Sequence, residues 1–488
     1  MFTHIAPYYL GKVLCEDRAD QDRVDFREHS AHIKMGIYKG PVTSFKKITK
    51  LIVTALLSNG NTIQDYRLMD SAKVNTIDRF HDGARFPRGI GTNQSSSPDD
   101  YRTVFNAWEV NSAMKGLERE YGVQLTQAPF DTYWKQKSTV AFLPVPDGVS
   151  RVERKNYRVY LTAGVQARER GGPDSLLYFI SDLLWADKHK AMLVYNTTTV
   201  FTLAQVRQVL SLGIVIYPLV NPDGKLWDER WNNCWGNNIN PTSRPSENGI
   251  HGIGVNIDRN FNFTWDYRKI YSQQALDVAS DKPEHELFHG PAPFSEAESR
   301  NMAWVIDQYP SIKWYLDVHT KNRIVSHAWS DTPIQTTNPE MNFRNQSYDG
   351  KRGDVNTQYG EYMTPKDHDI YKDISNNMAE QMEKVSGEPF YSIDKLRKKG
   401  RVFQGSSGAA IDWAYSRHVV NEAATKIMSF KLKFGISEEE AAETGQKGGC
   451  QYYPSRKIYK RGISESAVGY MTFLLNVAKY ENMKGPWP

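Results

Sequence analysis

Residues 156–186 read NYRVYLTAGVQARERGGPDSLLYFISDLLWA, and this stretch decides the fold class. Its first part, NYRVYLTAG (156–164), predicts a strand. Its second part, PDSLLYFISDLLWA (173–186), predicts a helix that begins at Pro173 and Asp174, because proline and acidic side chains favour the first helical turn. A strand followed by a helix is the unit from which α/β folds are built.

The alternation of strands and helices extends from Tyr101 to the end of the chain. Further strands are predicted at SLGIVIYPLV (211–220), which ends in the turn NPDG (221–224), at KWYLDVHT (313–320) and at SFKLKF (429–434). Further helices are predicted at SEAESRNMAWVID (295–307), opening with a capping box of Ser295 and Glu298, and at ESAVGYMTFLLNVAKY (465–480). Buried strands that alternate with helices imply a mainly parallel sheet covered on both faces. We expect 156–164, 211–220 and 313–320 to be neighbouring central strands.

Composition excludes several classes of protein. The chain has 488 residues, of which 40% are hydrophobic and 24% charged, so it can bury a large core and is not globally disordered. Its net charge of +5 is too small and too evenly spread for a dedicated nucleic-acid-binding protein. The longest apolar run, LIVTALL (51–57), is far shorter than the roughly 20 residues of a membrane-spanning helix. We expect no specific nucleic-acid partner and no transmembrane segment.

The cysteines indicate the compartment. Cys15, Cys234 and Cys450 lie more than 200 residues apart, so they form no Cys-x-x-Cys metal site. One must stay unpaired even if the other two bond, which suits a reducing compartment better than secretion. The N-terminus also lacks the continuous apolar segment of a secretory signal. The sequence therefore predicts an intracellular protein, mitochondrial or cytoplasmic (including the cytoskeleton), that is not secreted.

Residues 1–100 differ from the rest of the chain and are interpreted as an N-terminal arm that ends at NQSSSPDD (93–100). The arm contains a predicted helix, SFKKITKLIVTALL (44–57), whose apolar stripe either packs on the main domain or binds a partner. Residues 101–488 form the main domain. Within it, the polar and turn-rich residues 330–360 are interpreted as a surface insertion.

Two basic clusters, KLRKKGR (395–401) and RKIYKR (456–461), have two interpretations. They are solvated faces, or they contact an acidic partner or anionic lipid.

Ordered motifs resemble the zinc metallocarboxypeptidases of the carboxypeptidase A type. The resemblance covers about residues 101–488 and lies in GVQARERGGPDSLLYFISDLL (164–184), YPLVNPDGKLWDERWNNCWGNN (217–238), GVNIDRNFNFTW (254–265), HGPAPFSEAES (289–299), YLDVHT (315–320) and SSGAAIDWAYS (406–416). It implies a three-layer α/β/α fold with a mixed eight-stranded sheet. The active site would lie at the carboxyl ends of the central strands.

The resemblance implies a zinc site with one ligand replaced. A catalytic zinc takes three protein ligands and a water molecule. The family's first His corresponds to Gln166, whereas Glu169 and His319 stand at the other two ligand positions. A neutral amide oxygen is a much poorer zinc ligand than imidazole nitrogen. Glu169 and His319 are therefore interpreted as vestigial ligands, and no cofactor is expected, with weakly bound zinc as the alternative.

The catalytic base is also replaced. The family's base is a Glu in a strand that corresponds to SFKLKF, which places Lys433 at its position; the ungapped register places Lys426 there instead. An ammonium has no lone pair with which to accept a proton, and its charge repels Zn²⁺. We expect Lys433 to pair with Glu169, directly or through water, or with Asp258 as second choice.

The remaining functional positions have changed too. Gly236 stands at the position of the electrophilic Arg, and Gln404 at that of the mobile Tyr that closes over substrate. The pair that binds the substrate carboxylate corresponds to Asp258 and Arg259, and Asp258 either repels a carboxylate or neutralises Arg259 in an internal ion pair. These three positions, Asp258, Arg259 and Gln404, are interpreted as a vestigial substrate-binding site.

Three functions follow from this pattern. The first is a catalytically inactive carboxypeptidase homologue, or pseudoenzyme, with a structural or protein-binding role as a subunit of a larger assembly. The second is an atypical zinc carboxypeptidase that recruits another base, such as His327 or Glu422. The third is a non-catalytic protein that binds peptide carboxyl termini through Arg259.

Overall fold

The structure is a computed structural model that describes residues 13–14, 23–26, 38–39, 71–92, 101–147, 153–241, 254–275, 277–399, 405–446 and 448–481. Four features discussed above lie outside these residues: Cys15, the predicted helix at 44–57, the boundary at 93–100 and Gln404.

The described residues alternate strands and helices as the sequence predicts. The helices are α1 (Ala107–Tyr121), α2 (Gly172–His189), α3 (Leu203–Leu210), α4 (Pro222–Trp231), α5 (Tyr267–Ile270), α6 (Ala297–Gln308), α7 (Pro365–Ser386), α8 (Ile393–Lys398), α9 (Ala410–Val420), α10 (Glu438–Gln446) and α11 (Arg456–Tyr480). The strands are β1 (Val13–Leu14), β2 (Arg23–Phe26), β3 (Tyr38–Lys39), β4 (Lys73–Val74), β5 (Thr103–Val104), β6 (Gln124–Gln127), β7 (Thr139–Phe142), β8 (Val159–Ala163), β9 (Leu193–Tyr195), β10 (Thr199–Phe201), β11 (Ile214–Tyr217), β12 (Trp314–Thr320), β13 (Ile324–His327), β14 (Gln335–Thr336), β15 (Glu361–Tyr362), β16 (Tyr391–Ser392) and β17 (Met428–Phe434).

Eight strands form one mixed sheet in the order β16-β13-β17-β12-β8-β11-β7-β6. The four central strands, β17, β12, β8 and β11, are parallel to one another. Strands β13 and β7 join them antiparallel. The predicted neighbours 156–164, 211–220 and 313–320 are therefore confirmed as β8, β11 and β12, with β8 between the other two.

Helices cover both faces of this sheet, as β17 shows. The Ser429 hydroxyl donates to the Ile411 carbonyl of α9, whereas the Phe430 ring contacts Tyr371 of α7 and Phe473 of α11. Because successive strand residues point to opposite faces, α9 lies on one face and α7 and α11 on the other. The three-layer α/β/α architecture is confirmed, and Lys431 and Lys433 point to the same face as Ser429.

Two local predictions were wrong at the starts of helices. The NPDG segment is not a free turn: Asn221 caps α4 by accepting from the Gly224 amide, and Pro222 fits the first helical position. Helix α6 has Glu296 at its N-cap and no capping box. The Ser295 hydroxyl donates to the Glu296 carboxylate, and Asn260 Oδ1 accepts from the Glu296 amide in its place.

Residues 71–92, which the sequence assigns to the arm, contact the main domain. The Ala72 amide donates to the Pro454 carbonyl at 2.7 Å, and Ala72 and Phe80 belong to the hydrophobic core. The division of the chain at residue 100 stays a prediction.

The insertion at 330–360 is organised around a buried arginine. The Arg352 guanidinium donates to Asp349 Oδ1 at 2.6 Å and to the carbonyl oxygens of Asn342 and Asn345. This network satisfies the polar backbone of a segment with little regular structure.

A disulfide joins Cys234 to Cys450, which are 216 residues apart. This pairing weakens the argument from cysteine usage for an intracellular protein, because disulfides persist mainly in oxidising compartments. Within the described residues, no helix is both long and apolar enough to cross a membrane.

Candidate functional site

The carboxyl ends of β8, β12 and β17 open into a cavity of about 250 Å³. Five residues singled out from the sequence line it together: Gln166, Glu169, Asp258, Arg259 and His319. Lys433 lines it as well, beside Lys431 from the same strand. Sheet register explains this convergence, because His319 pairs with Lys433 across the parallel strands β12 and β17, and Asp317 pairs with Lys431.

His319 lies between two carboxylates. Its Nδ1 is 2.7 Å from Glu169 Oε2, and its Nε2 is 2.9 Å from Asp317 Oδ2. Burial alone would lower the pKa of His319, but Glu169 and Asp317 together raise it to about 10. An imidazolium donates from both nitrogens, which satisfies both carboxylates at once.

Lys431 forms the second buried charge pair of the cavity. Its Nζ donates to Asp258 Oδ2 at 2.6 Å, and both side chains are less than a tenth exposed. Burial opposes ionisation of Asp258, yet the Lys431 ammonium holds the pKa of that carboxyl well below its usual range. Burial also opposes the charge of Lys431, and Asp258 raises its pKa in turn.

Lys433 does not form the predicted pair. Glu169 bonds to His319 and to the Thr320 amide, and Asp258 bonds to Lys431 through Oδ2, and within the described residues neither carboxylate forms an ion pair with Lys433. Burial and the nearby Lys431 lower the pKa of Lys433 to about 8. Among the described residues the direct Lys433–Glu169 pair is not formed, because His319 is bonded to Glu169, and a pair through water stays a prediction.

Among the residues that the structure describes, one group of clustered acceptors could hold a metal ion. The ligand atoms of Asp258, Asp317 and His319 all lie within 4.8 Å of one another. Each residue is already bonded to a cation, however, since the Lys431 ammonium binds Asp258 Oδ2 and the His319 imidazole binds Asp317. A second ammonium, Lys433, repels a dication from the same side. As they stand, these residues do not fit Zn²⁺, which needs deprotonated ligands with free lone pairs.

A guanidinium group lies beside Gly236, the position of the family's electrophilic Arg. Gly236 has no side chain, but the Arg168 guanidinium lies against it, 3.1 Å from where a Cβ on Gly236 would be. Arg168 also pairs with Glu286 at 2.9 Å, and its ring contact with Tyr452 fixes the guanidinium plane. Sequence comparison at position 236 alone misses this cation, because it comes from a different loop.

The Arg259 guanidinium makes its contacts within the protein. Its Nε donates to the Val278 carbonyl at 2.9 Å, and its Nη1 contacts the carbonyl oxygen and Oδ2 of Asp258. The internal ion pair between Asp258 and Arg259 is therefore present, at 3.4 Å. Capture of a substrate carboxylate would have to compete with these contacts.

Three other residues considered for the position or role of the base are either bonded to other groups or lie outside the cavity lining. Lys426 pairs with Asp367 at 2.7 Å and is absent from the cavity lining, so the gapped alignment to Lys433 is the one consistent with the structure. His327 lines the cavity, but its ring nitrogens bond to the Ala328 carbonyl and to Asp394. Glu422 is exposed on the loop after α9.

A family model described as zinc carboxypeptidase matches residues 135–447. This chain belongs to the zinc carboxypeptidase family. Carboxypeptidase A4 of Mus musculus is 19% identical over 399 residues, which cover 80% of this chain and 79% of that protein. Carboxypeptidase B of Astacus astacus is 27% identical over 177 residues, 36% of this chain and about half (48%) of that protein.

One relative carries a name that states inactivity. The inactive metallocarboxypeptidase ECM14 of Ajellomyces dermatitidis is 26% identical over 177 residues, covering 35% of this chain and 26% of that protein.

Solved structures of the family share the fold. Thrombin activatable fibrinolysis inhibitor superposes with a TM-score of 0.54 at 16% identity, covering 83% of each chain. Carboxypeptidase A from Helicoverpa armigera gives a TM-score of 0.52 at 13% identity, covering 91% of this chain and 83% of that one.

Within this zinc carboxypeptidase fold, the site residues that sequence reasoning missed include Asp317 and Lys431. Both lie two positions before a residue that it did select, His319 and Lys433 respectively. Residues two apart on a strand point to the same face, so the alternation along YLDVHT and SFKLKF carried the signal.

Proposed function

We propose that this chain is a catalytically inactive carboxypeptidase homologue that keeps the fold for a structural or protein-binding role. The single observation that carries the proposal is the Lys431–Asp258 ion pair, with Nζ and Oδ2 2.6 Å apart, beside the unpaired Lys433. Protein cations stand in the cavity where the family holds a metal ion.

The proposal includes the loss of the metal. Gln166 offers only an amide oxygen, and His319 is held between Glu169 and Asp317. Removing the His319 proton and displacing Lys431 from Asp258 would both be needed before a metal could bind. No cofactor is therefore part of the proposed function.

The loss of a general base supports inactivity independently of the metal. Lys433 is largely protonated below a pKa of about 8, so it has no free lone pair at neutral pH. Its neighbours Glu169 and Asp258 are engaged in charge pairs and cannot replace it without breaking them. A relative whose name states inactivity, the inactive metallocarboxypeptidase ECM14, is consistent with this proposal.

We further propose that the chain acts as a subunit of a larger assembly, with the N-terminal residues 1–100, the insertion at 330–360 and the exposed lysines of the basic clusters as contacts. Lys395, Lys398 and Lys399 are exposed, whereas Arg397 turns inward to line the cavity. An intracellular location belongs to the same proposal, and the Cys234–Cys450 disulfide weighs against it. Measuring the redox state of these cysteines in the native protein tests the location.

The alternative is an atypical zinc carboxypeptidase, which the clustered acceptors of Asp258, Asp317 and His319 favour. One experiment separates the two. The chain is purified in buffer containing zinc at micromolar concentration, its metal content is measured, and hydrolysis of peptides with aromatic, basic and acidic carboxyl-terminal residues is assayed. An active carboxypeptidase prepared in the same way is the control.

We expect substoichiometric zinc and no hydrolysis above the buffer rate. Near-stoichiometric zinc together with release of carboxyl-terminal residues would overturn the proposal.

A further inference from the structure

The cavity carries an excess of positive charge. Besides His319 and His327, its lining contains six lysine and arginine side chains but only three carboxylates. The basic ones are Arg168, Arg259, Lys321, Arg397, Lys431 and Lys433. The carboxylates are Glu169, Asp258 and Glu286.

Each of the three carboxylates is bonded to a basic side chain of the cavity. Asp258 pairs with Lys431 and contacts Arg259, and Glu286 pairs with Arg168 at 2.9 Å. The third, Glu169, bonds to the His319 imidazole. Asp258 Oδ1 accepts no hydrogen bond among the described residues, but none of the three carboxylates forms an ion pair with Lys433 or Lys321 there.

Two ammonium groups are left without a carboxylate among the described residues, Lys433 and Lys321. Lys321 donates to the amide oxygen of Gln451 at 2.7 Å and lies 4.7 Å from the centre of the Tyr452 ring. The two lysines reach the cavity from adjacent strand ends, because the Lys321 amide donates to the carbonyl of Phe434, the residue after Lys433. Withdrawing two like charges from water without a counter-ion costs free energy that a bound anion would recover.

We propose that the cavity binds a small, multiply charged anion of the phosphate type, with Lys433 and Lys321 as its cationic contacts. A phosphate dianion matches the two uncompensated charges, and lysine ammonium groups bind phosphate as point charges. The cavity, at about 250 Å³, is smaller than the pockets that enclose drug-sized ligands, so the anion is compact. The inference rests on the proposed function, because it places the anion where an active relative would bind metal and substrate.

The Arg168 guanidinium adds a third donor at the edge of this site. Its Nε is buried and has no hydrogen-bond partner in the described part of the chain. Arg259, by contrast, uses its donors on Val278 and Asp258, so the proposed site differs from a carboxylate site built on Arg259.

Titration calorimetry and thermal unfolding with inorganic phosphate test the proposal, in the presence of a chelator and with sodium chloride at matched ionic strength as the reference. We expect saturable binding of phosphate and a melting temperature that rises with its concentration. Lys433→Gln and Lys321→Gln should each weaken binding about 10-fold or more, which is the usual effect of losing one charge-assisted hydrogen bond. Lys433→Arg should retain most of it.

The matched control is Lys384→Gln, because Lys384 is exposed in the last turn of α7, away from the cavity. It should leave phosphate affinity unchanged. Acetate, a monoanion, should bind at least 10-fold more weakly than phosphate if two charges are recognised.

No saturable binding of phosphate, or equal affinity in the parent, Lys433→Gln and Lys321→Gln proteins, would overturn the inference. Such a result leaves the proposed function intact, because that proposal fails only through zinc content and peptide hydrolysis, which are measured separately.

Discussion

Lys431 of β17 and Asp258 form a buried ion pair, with Nζ donating to Oδ2 at 2.6 Å. The pair joins the sheet to the 3₁₀ turn Ile257–Arg259 on which Arg259 also lies. It places a protein cation within the group of acceptors that Asp258 forms with Asp317 and His319. The charge that a metal would supply is thus supplied by the chain itself.

Breaking this pair from one side should be costly. Lys431→Met leaves the Asp258 carboxylate buried with only the longer contact to Arg259, at 3.4 Å. We expect the free energy of unfolding to fall by about 3 to 5 kcal/mol, as for other buried pairs that lose one partner. Urea unfolding at pH 7 measures the change.

The control for this prediction is Lys115→Met, because the Lys115–Asp82 pair is exposed. It should cost less than about 1 kcal/mol. Adding Asp258→Asn to Lys431→Met should recover at least half of the lost stability. A Lys431→Met protein as stable as the parent would show that the pair does not hold the turn.

Lys433 should behave in the opposite way, because it has no ion-pair partner to lose among the described residues. Lys433→Gln removes an ammonium that is repelled by Lys431, and we expect the unfolding free energy to stay equal or rise by about 1 kcal/mol. The same urea titration decides this, with Lys431→Gln as its counterpart in the same strand. A loss of 2 kcal/mol or more would reveal a partner for Lys433.

Restoring the family's base alone should not restore catalysis. Lys433→Glu introduces a carboxylate next to His319, but Gln166 still offers no imidazole and Asp258 remains bound to Lys431. We expect no hydrolysis of carboxypeptidase substrates and no gain in zinc content. Activity in this single variant would mean that the remaining residues hold a metal after all.

The Cys234–Cys450 disulfide should contribute to stability. Replacing both cysteines by serine should lower the unfolding free energy by about 2 to 4 kcal/mol, since the bond closes a long loop in the unfolded chain. Titration of the denatured, unreduced protein with a thiol reagent should find one free thiol for the three cysteines. Three free thiols would mean that the bond does not form.

Asp182 should make stability depend on pH. Its Oδ2 accepts from the Tyr195 hydroxyl at 2.7 Å and the Gly91 amide at 3.0 Å, and burial raises its pKa to about 7. Below the ordinary pKa of about 4, the carboxyl is protonated in both the folded and unfolded states. As pH rises from about 4 through 7, the unfolded state ionises first, so stability is lost.

Asp182→Asn keeps the acceptor oxygen but cannot ionise, and therefore lacks this loss. Relative to the parent, the variant should gain stability between pH 4 and pH 7, by up to about 4 kcal/mol, since each pKa unit corresponds to about 1.4 kcal/mol. Unfolding titrations at both pH values measure it. A difference that is the same at pH 4 and pH 7 would contradict the raised pKa.

The sheet could be predicted from the sequence because buried parallel strands read as continuous apolar segments. IVIY in β11 and VYLTA in β8 are buried at every position. The predicted strands extend at most three residues beyond the observed bounds at either end. The starts of α4 and α6 could not be placed as well. The cap of α4 is the local residue Asn221, whose side chain converts a turn sequence into a helix start, whereas the start of α6 depends on a distant residue, Asn260.

The sequence was sufficient to predict several of the residues that line the cavity but not which of them form ion pairs with one another. Glu169, His319, Lys433 and Asp258 do line one cavity. Which cation neutralises which carboxylate depends on side-chain distances of a few ångströms, and these follow from the register between β12 and β17. The two carboxylate contacts of His319 are those of a hydrogen-bonded core histidine.

The Lys431–Asp258 pair also bears on the history of the chain. Under the proposed function, a lineage that returned to catalysis would have to restore the residues at 166, 236, 258 and 433, and each replacement would be exposed to selection in turn. Changing Asp258 first would strand Lys431 in a cavity already crowded with cations, and changing Lys431 first would strand Asp258. Either order passes through a less stable intermediate, so the ion pair disfavours a return to catalysis by single substitutions.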